Sequence, residues 1–160
     1  MDIASFLWAT LLCLLPISEL RGGLPLLLAS GVHPLVAYFF CVLVNSLVTP
    51  LLILFLNSIN RLLLKLKAYR AFYEKTLERA RRKVKPKVER WGFWGLTIFV
   101  AIPLPLTGAY TGVLGGWILG LRLKQIFLAV TAGVWLAGIL VLGAYYLAGL
   151  GYDVFRIFFK

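Results

Sequence analysis

Residues 91–121, WGFWGLTIFVAIPLPLTGAYTGVLGGWILGL, decide the fold, because this stretch is apolar and free of charge yet broken at its centre. A straight helix over it would be about 46 Å long at 1.5 Å per residue, well beyond the roughly 30 Å of a bilayer's hydrocarbon core. Pro103, Pro105 and Gly108 lie near its middle, and proline removes a backbone donor and disfavours helical geometry in the residue before it. The stretch therefore predicts a re-entrant hairpin of two short helices.

The composition agrees with a membrane protein. Of the 160 residues, 61% are hydrophobic and 14% are charged, whereas soluble domains carry about 25% charged residues. Besides 91–121, uncharged stretches cover 3–18, 22–60 and 125–152. This excludes a soluble enzyme, a nucleic-acid-binding domain and a disulfide-stapled secreted domain. The two cysteines lie inside apolar runs, no Cys/His spacing predicts a metal site, and we expect no cofactor.

A basic segment at 61–90 separates two apolar halves. It holds twelve of the seventeen Lys and Arg residues, and the positive-inside rule places such a loop in the cytoplasm. Its apolar residues recur every three or four positions, which predicts an amphipathic helix. Anionic lipid headgroups are the expected partner of that helix and nucleic acid is not, although the charged face could also pack on the protein.

The two halves resemble each other. Sliding the chain by 89 residues matches Pro16 with Pro105, Gly23 with Gly112 and Gly31 with Gly120. We therefore predict an all-α integral membrane protein with a single membrane domain, 1–160, made of two inverted repeats. The first repeat, 1–60, has a hairpin at 3–28 and a span at 34–57. The second, 91–152, has a hairpin at 91–121 and a span at 125–150.

The segment Ser18–Pro25, SELRGGLP, holds the main functional clue. A charged residue at the centre of a membrane costs about 2.5–3.5 kcal/mol and is usually functional. We expect Glu19 to exchange a proton and Arg21 to bind an anionic group through its two-pronged guanidinium. The alternative is a self-neutralising pair that pins the hairpin tip.

The second tip offers the matching half of a site. Its breakers free backbone groups and its hydroxyls add polar atoms, while Asn45 lies mid-span beside Ser46 and Thr49. The predicted substrate- or ion-binding residues are thus Glu19, Arg21, Asn45, Thr107, Gly108, Tyr110 and Thr111. The predicted structural residues of the tips are Pro16, Gly22, Gly23, Pro25, Pro103, Pro105 and Gly112. Asn45 could equally make an ordinary interhelical hydrogen bond, and the glycines at 108, 112, 116 and 120 could serve close helix packing.

The two motifs, Glu19–Pro25 and Pro103–Gly112, resemble the small multidrug export protein family, which is itself similar to the DedA/VTT (SNARE-associated) membrane proteins. The resemblance implies paired re-entrant hairpins and, from the DedA side, movement of lipid or polyprenyl-phosphate carriers with proton coupling. It matches Glu19 and Arg21 to the acidic and basic motif residues. It also matches Thr107, Gly108, Tyr110 and Thr111 to the second tip.

The expected function is secondary transport rather than catalysis. We expect a multi-pass cell-membrane transporter, acting as a dimer, that translocates a lipid or polyprenyl-phosphate-type anionic amphiphile with proton coupling. One alternative is a proton-coupled small multidrug exporter. The other is a scaffold that does not transport and binds anionic lipid or partner proteins through the basic segment.

Overall fold

The computed structural model describes residues 3–63, 65, 92–104 and 107–158. Within these residues the chain forms helices and no strands, which confirms the all-helical fold class. The helices are α1 (Ile3–Leu14), α2 (Glu19–Ala29), α3 (Pro34–Leu63), α4 (Gly92–Ala101), α5 (Ala109–Ile118) and α6 (Leu123–Phe158). The helix predicted in the basic segment 61–90 lies outside the described residues beyond position 65, and so does Pro105.

Among the described residues, two helices are long and apolar enough to cross a membrane. These are α3 over Pro34–Ile59 and α6 over Leu123–Gly149. The first range contains the predicted span 34–57, and the second covers the predicted span 125–150 except for its last residue. The other helices have 10 to 12 residues and measure about 15–18 Å at 1.5 Å per residue. They are too short to cross the hydrocarbon core singly.

The short helices form two pairs. In the first pair α1 packs against α2, and the first tip, Leu15–Ser18, joins them with Pro16 inside it. In the second pair α5 lies against α4, with Gly112 beside Val100, and the second tip, 102–108, joins them. The helix pairs pack against the long helices, and α3 packs against α6.

Four predicted tip residues lie elsewhere. Gly22, Gly23 and Pro25 are inside α2, and Gly112 is inside α5. Gly23 continues the helix because its missing side chain leaves room for α1: a Cβ at 23 would lie 2.9 Å from the Ala9 carbonyl oxygen. Proline inside a membrane helix is tolerated where neighbouring groups satisfy the carbonyl that it leaves free.

The outer surface of the protein is strongly apolar. Large apolar side chains such as Ile3, Leu54 and Trp94 point outward and are more than half exposed. The buried core is also mostly apolar, but it encloses the polar side chains of Glu19, Asn45 and Thr49, which are at most 6% exposed. An apolar exterior around a few buried polar groups suits a lipid environment.

The 89-residue offset extends from sequence to structure. α1 and α4 begin at 3 and 92, and α3 and α6 begin at 34 and 123. The glycines at 31 and 120 both have φ +76° and end α2 and α5 with the same hydrogen bonds: Val32 N–H donates to Leu27 C=O at 3.1 Å, and Leu121 N–H to Gly116 C=O at 3.0 Å. Gly120 thus ends a helix, and Gly116 lies against Ile126.

Candidate functional site

Glu19 occupies the point where the first helix pair reverses. It is the only non-glycine residue among those described with positive φ, at +50°. Its N–H still donates to the Leu15 carbonyl at 3.0 Å, so the tip remains compact. An L-residue in this left-handed region costs about 1–2 kcal/mol, and such backbone strain clusters at functional sites.

The Glu19 carboxylate crosses to the second helix pair and caps the start of α5. Its Oε2 accepts a hydrogen bond from the Ala109 N–H at 3.2 Å, and its Oε1 accepts one from the Tyr110 N–H at 3.3 Å. The first amides of a helix have no intrahelical partner and favour an anion. The chain itself thus supplies an anion at the start of this helix.

Gly108 makes this contact possible by having no side chain. A Cβ at 108 would lie within 2.6 Å of the Glu19 Cδ and overlap the carboxylate. The Gly108 backbone is extended, with φ 160° and ψ −164°, so any residue could adopt it. Glycine is therefore needed at this position for space rather than for conformation.

Arg21 also reaches across, to the end of α4 and the second tip. One terminal guanidinium nitrogen donates to the Leu104 carbonyl. The other donates to the Thr107 carbonyl, to the Thr107 hydroxyl at 3.0 Å and to the Ile102 carbonyl at 3.4 Å. Glu19 and Arg21 are thus not bonded to each other, since each bonds to the opposite helix pair.

Tyr110 makes the reciprocal contact. Its hydroxyl donates to the carbonyl of Leu14, the last residue of α1, at 2.5 Å. Positions 21 and 110 are 89 residues apart, so equivalent positions of the two halves each donate to the end of the other pair's first helix. The tips are held together by polar groups on both sides of the contact.

Asn45 brings α3 to the same place. Its side chain is 1% exposed and is close enough to the Glu19 carboxylate to donate a hydrogen bond to it. The Thr111 hydroxyl instead bonds to the Gly108 carbonyl at 3.4 Å, within the first turn of α5. The structure thus gathers Asn45, Gly108 and Tyr110 around Glu19 and places Thr107 against Arg21, whereas the Thr111 side chain bonds within α5.

Three further residues belong to the surroundings of the site. Thr49 is fully buried one turn after Asn45. It follows Asn45 by four residues, which places both on the same face of a helix, and this spacing is the sequence signal that indicates its place at the site. Cys13 and Cys41 are buried, and their thiols contact each other beside Gly23. Cysteine is a good small apolar residue, so nothing in its local sequence indicates this position.

Within residues 3–63, 65, 92–104 and 107–158, no three His, Cys, Asp or Glu side chains lie close enough together to hold an ion. The chemistry available is that of one carboxylate, one guanidinium, amides and hydroxyls.

Comparison with known proteins identifies one family. The family model described as "Putative small multi-drug export protein" matches residues 19–140, a range that begins at Glu19, directly after the first tip, and includes the second tip. No curated protein and no solved structure matches the chain.

Proposed function

Because the chain belongs to the small multi-drug export protein family, we propose that it is a membrane exporter, namely a proton-coupled secondary transporter of small lipophilic cations. One observation carries the proposal: a buried carboxylate, Glu19, lies where the two broken segments meet, inside a chain with an apolar exterior. Secondary transporters place their sites at such breaks. A carboxylate there can bind a proton or a cationic substrate in exchange.

The hydrogen bonds of Arg21 favour a cation over an anionic lipid. Both terminal nitrogens of its guanidinium already donate to oxygens of the second tip. A phosphate could take these donors only if the contact between the tips were broken. Two backbone amides bind the carboxylate of Glu19. Once the carboxylate is protonated, the amides can release it without leaving its charge buried and unpaired.

A groove beside the site suits the apolar part of such a substrate. It has a volume of about 440 Å³ and is lined by Leu14, Val48, Leu51, Leu52, Phe55 and Tyr110. Tyr110 links this groove to the carboxylate, since its own backbone N–H binds Glu19. A lipophilic cation can therefore lie in the groove with its charge toward Glu19.

Uptake into proteoliposomes tests the proposal. With an imposed pH gradient, we expect the purified protein to accumulate a fluorescent lipophilic cation, and Glu19→Gln to abolish the dependence on the gradient. Arg122→Gln is the matched control, because it removes one charge from an exposed residue. Uptake that is equal in Glu19→Gln and the unmodified protein would refute the proposal.

A second candidate function, translocation of an anionic lipid, is favoured by a different groove. About 450 Å³ lies between α3 and α6, with the apolar residues Pro50, Ile53 and Phe127 on its walls and Lys124 at its rim. An acyl chain with an anionic headgroup fits that combination. The assay measures how accessible lipid headgroups are in symmetric liposomes. A Lys124→Gln variant that no longer moves lipid but takes up cations normally would favour this candidate.

For the architecture, we propose that each helix pair is a re-entrant hairpin and that the two halves are inverted repeats. Each half has one helix long enough to cross the membrane, so the second half begins on the opposite side from the first. The reciprocal contacts of Arg21 and Tyr110 support this arrangement, because a two-fold axis brings equivalent residues into equivalent contacts.

A further inference from the structure

Unpartnered oxygen atoms cluster on one turn of α3 next to Glu19. Asn45 Oδ1, Ser46 Oγ and Thr49 Oγ1 are buried and have no hydrogen-bond partner in the part of the chain that the structure describes. Leaving such a group buried and unbonded costs about 1–3 kcal/mol. Three of them within five residues indicate that this turn binds a small polar ligand.

Four other helical hydroxyls behave differently, whereas that of Thr131 on α6 is also buried without a partner among the described residues. Those of Thr10, Ser30, Ser58 and Thr97 each donate to the carbonyl four residues earlier, at 2.8–2.9 Å. This bond is the usual way in which a hydroxyl is satisfied inside a helix. Ser46 and Thr49 do not make it, so their hydrogen-bonding capacity remains available to a ligand.

Pro50 adds a backbone acceptor to the same turn. It lies inside α3, and a proline has no N–H to give to the carbonyl four residues before it, here that of Ser46. At membrane depth such a carbonyl is commonly satisfied by side chains or ordered water. Asn45, Ser46 and Thr49 therefore offer a continuous set of polar atoms that ends at Pro50.

Pro50 also lines the groove of about 450 Å³ between α3 and α6, together with Ile53 and Asn57. Residues 45, 49, 53 and 57 follow at intervals of four and so lie along one face of the helix. This face runs from Asn45, beside Glu19, to Asn57, about 18 Å away at 1.5 Å per residue. Polar atoms on the α3 turn and the groove that begins at Pro50 thus extend from the buried carboxylate toward the carboxyl-terminal end of α3.

We propose that Asn45, Ser46 and Thr49 bind water molecules that carry protons between Glu19 and the groove at the carboxyl-terminal end of α3. The amide of Asn45 holds a water molecule, and each hydroxyl relays a proton by accepting one hydrogen bond and donating another. A proton from hydronium in the groove ends on the Glu19 carboxylate, and water is left behind. This assignment rests on the proposed transport function, for which it supplies the side from which the proton enters.

The groups that face Glu19 within the described residues are few. Arg21 lies on its own helix, Cys13 on α1 and Tyr110 on α5. The guanidinium and the phenol are engaged in tip hydrogen bonds, and the Cys13 thiol is engaged with Cys41. The α3 turn is the polar surface around Glu19 that has spare hydrogen-bonding capacity.

Time-resolved infrared spectroscopy of the whole chain in liposomes tests this route. The carboxyl band that disappears in Glu19→Gln reports protonation of Glu19 after a pH jump on one side of the membrane. Thr49→Val should slow that protonation by about tenfold or more, the change that a barrier increase of about 1.4 kcal/mol produces. Thr97→Val is the matched control, since Thr97 is equally buried but bonded to its own helix, and its rate should not change.

Further variants and the choice of side make the outcome decisive. Thr49→Ser keeps the hydroxyl and should retain the normal rate of Glu19 protonation. Ser46→Ala should slow this protonation, and it provides the test in case Thr49→Val does not fold. A pH jump should act promptly only from the side of Asn57. Normal rates in Thr49→Val and Ser46→Ala, or equal response from both sides, would overturn the route. Because this measurement needs no transported substrate, slowed protonation in Thr49→Val without any cation uptake would support the route and contradict the exporter.

Discussion

Glu19 combines two unusual properties in one residue, a left-handed backbone and a buried carboxylate. The composition and the position of a charge in an apolar run predict the buried carboxylate. The left-handed backbone could not be predicted, because it depends on how α1 and α2 meet across a four-residue tip. Separate substitutions can test the two properties.

At this position glycine should be tolerated better than alanine. Glycine adopts φ +50° freely, whereas alanine pays about 1–2 kcal/mol, so Glu19→Gly should unfold at a higher temperature than Glu19→Ala. Thermal unfolding in detergent is the measurement. At an ordinary helical position alanine is favoured by about 1 kcal/mol, and finding that order here would contradict the left-handed backbone.

A methyl group at position 108 should displace the Glu19 carboxylate while leaving the carboxyl group itself chemically unchanged. Gly108→Ala places its Cβ where the carboxylate lies and should displace it from the amides of Ala109 and Tyr110. We expect cation uptake to fall as far as in Glu19→Gln. Gly115→Ala is the control, since a Cβ there meets nothing within 4 Å; uptake that survives in Gly108→Ala would show that the contact is not needed.

The two tips show how well the breaks between helices can be predicted from the local sequence. Pro16 and Pro103 mark the two breaks correctly, because a proline in an apolar run disfavours the helix before it. Gly22, Gly23, Pro25 and Gly112 do not mark breaks, because the adjacent helix packs closely on the glycines. Local sequence reports backbone preference, whereas close packing depends on a partner far along the chain.

The guanidinium of Arg21 should determine how firmly the two tips are joined. Arg21→Lys keeps the charge but loses the second terminal nitrogen, and Arg21→Ala loses both. Hydrogen bonds to a charged group contribute about 1.5–3 kcal/mol each, so stability should fall in the order Arg, Lys, Ala. Unfolding by a denaturing detergent provides the measurement, and equal stability of Lys and Ala variants would mean that the fork geometry contributes nothing.

At the scale of the whole molecule, the recurrence of helix starts at an offset of 89 is stronger than the sequence matches that predicted it. Leucine and glycine are common in this chain, so such matches are weak by themselves. The matching helix ends at Gly31 and Gly120, with the same hydrogen bonds, involve backbone geometry and are more specific. The recurrence of the helices in the two halves could thus be predicted from the sequence. The contacts that each half makes with the other could not.

Inverted halves require equivalent positions to face opposite sides of the membrane. His33 and Arg122 are 89 residues apart, directly precede α3 and α6, and are exposed. Cysteine at 33 and cysteine at 122, each introduced with Cys13 and Cys41 left in their buried positions, should react with a membrane-impermeant maleimide from opposite sides of the vesicle. Labelling from the same side would exclude the inverted arrangement.

The contact between Glu19 and Gly108 has a consequence for how such sequences can diverge. The two positions are 89 residues apart and occupy equivalent places in the two halves, yet only one side chain fits between them. A glutamate at both positions would place two side chains in the space that holds one, so the two helix pairs could not approach each other as they do. Natural relatives should accordingly show positions 19 and 108 changing together, with a large residue at one always accompanied by a glycine at the other.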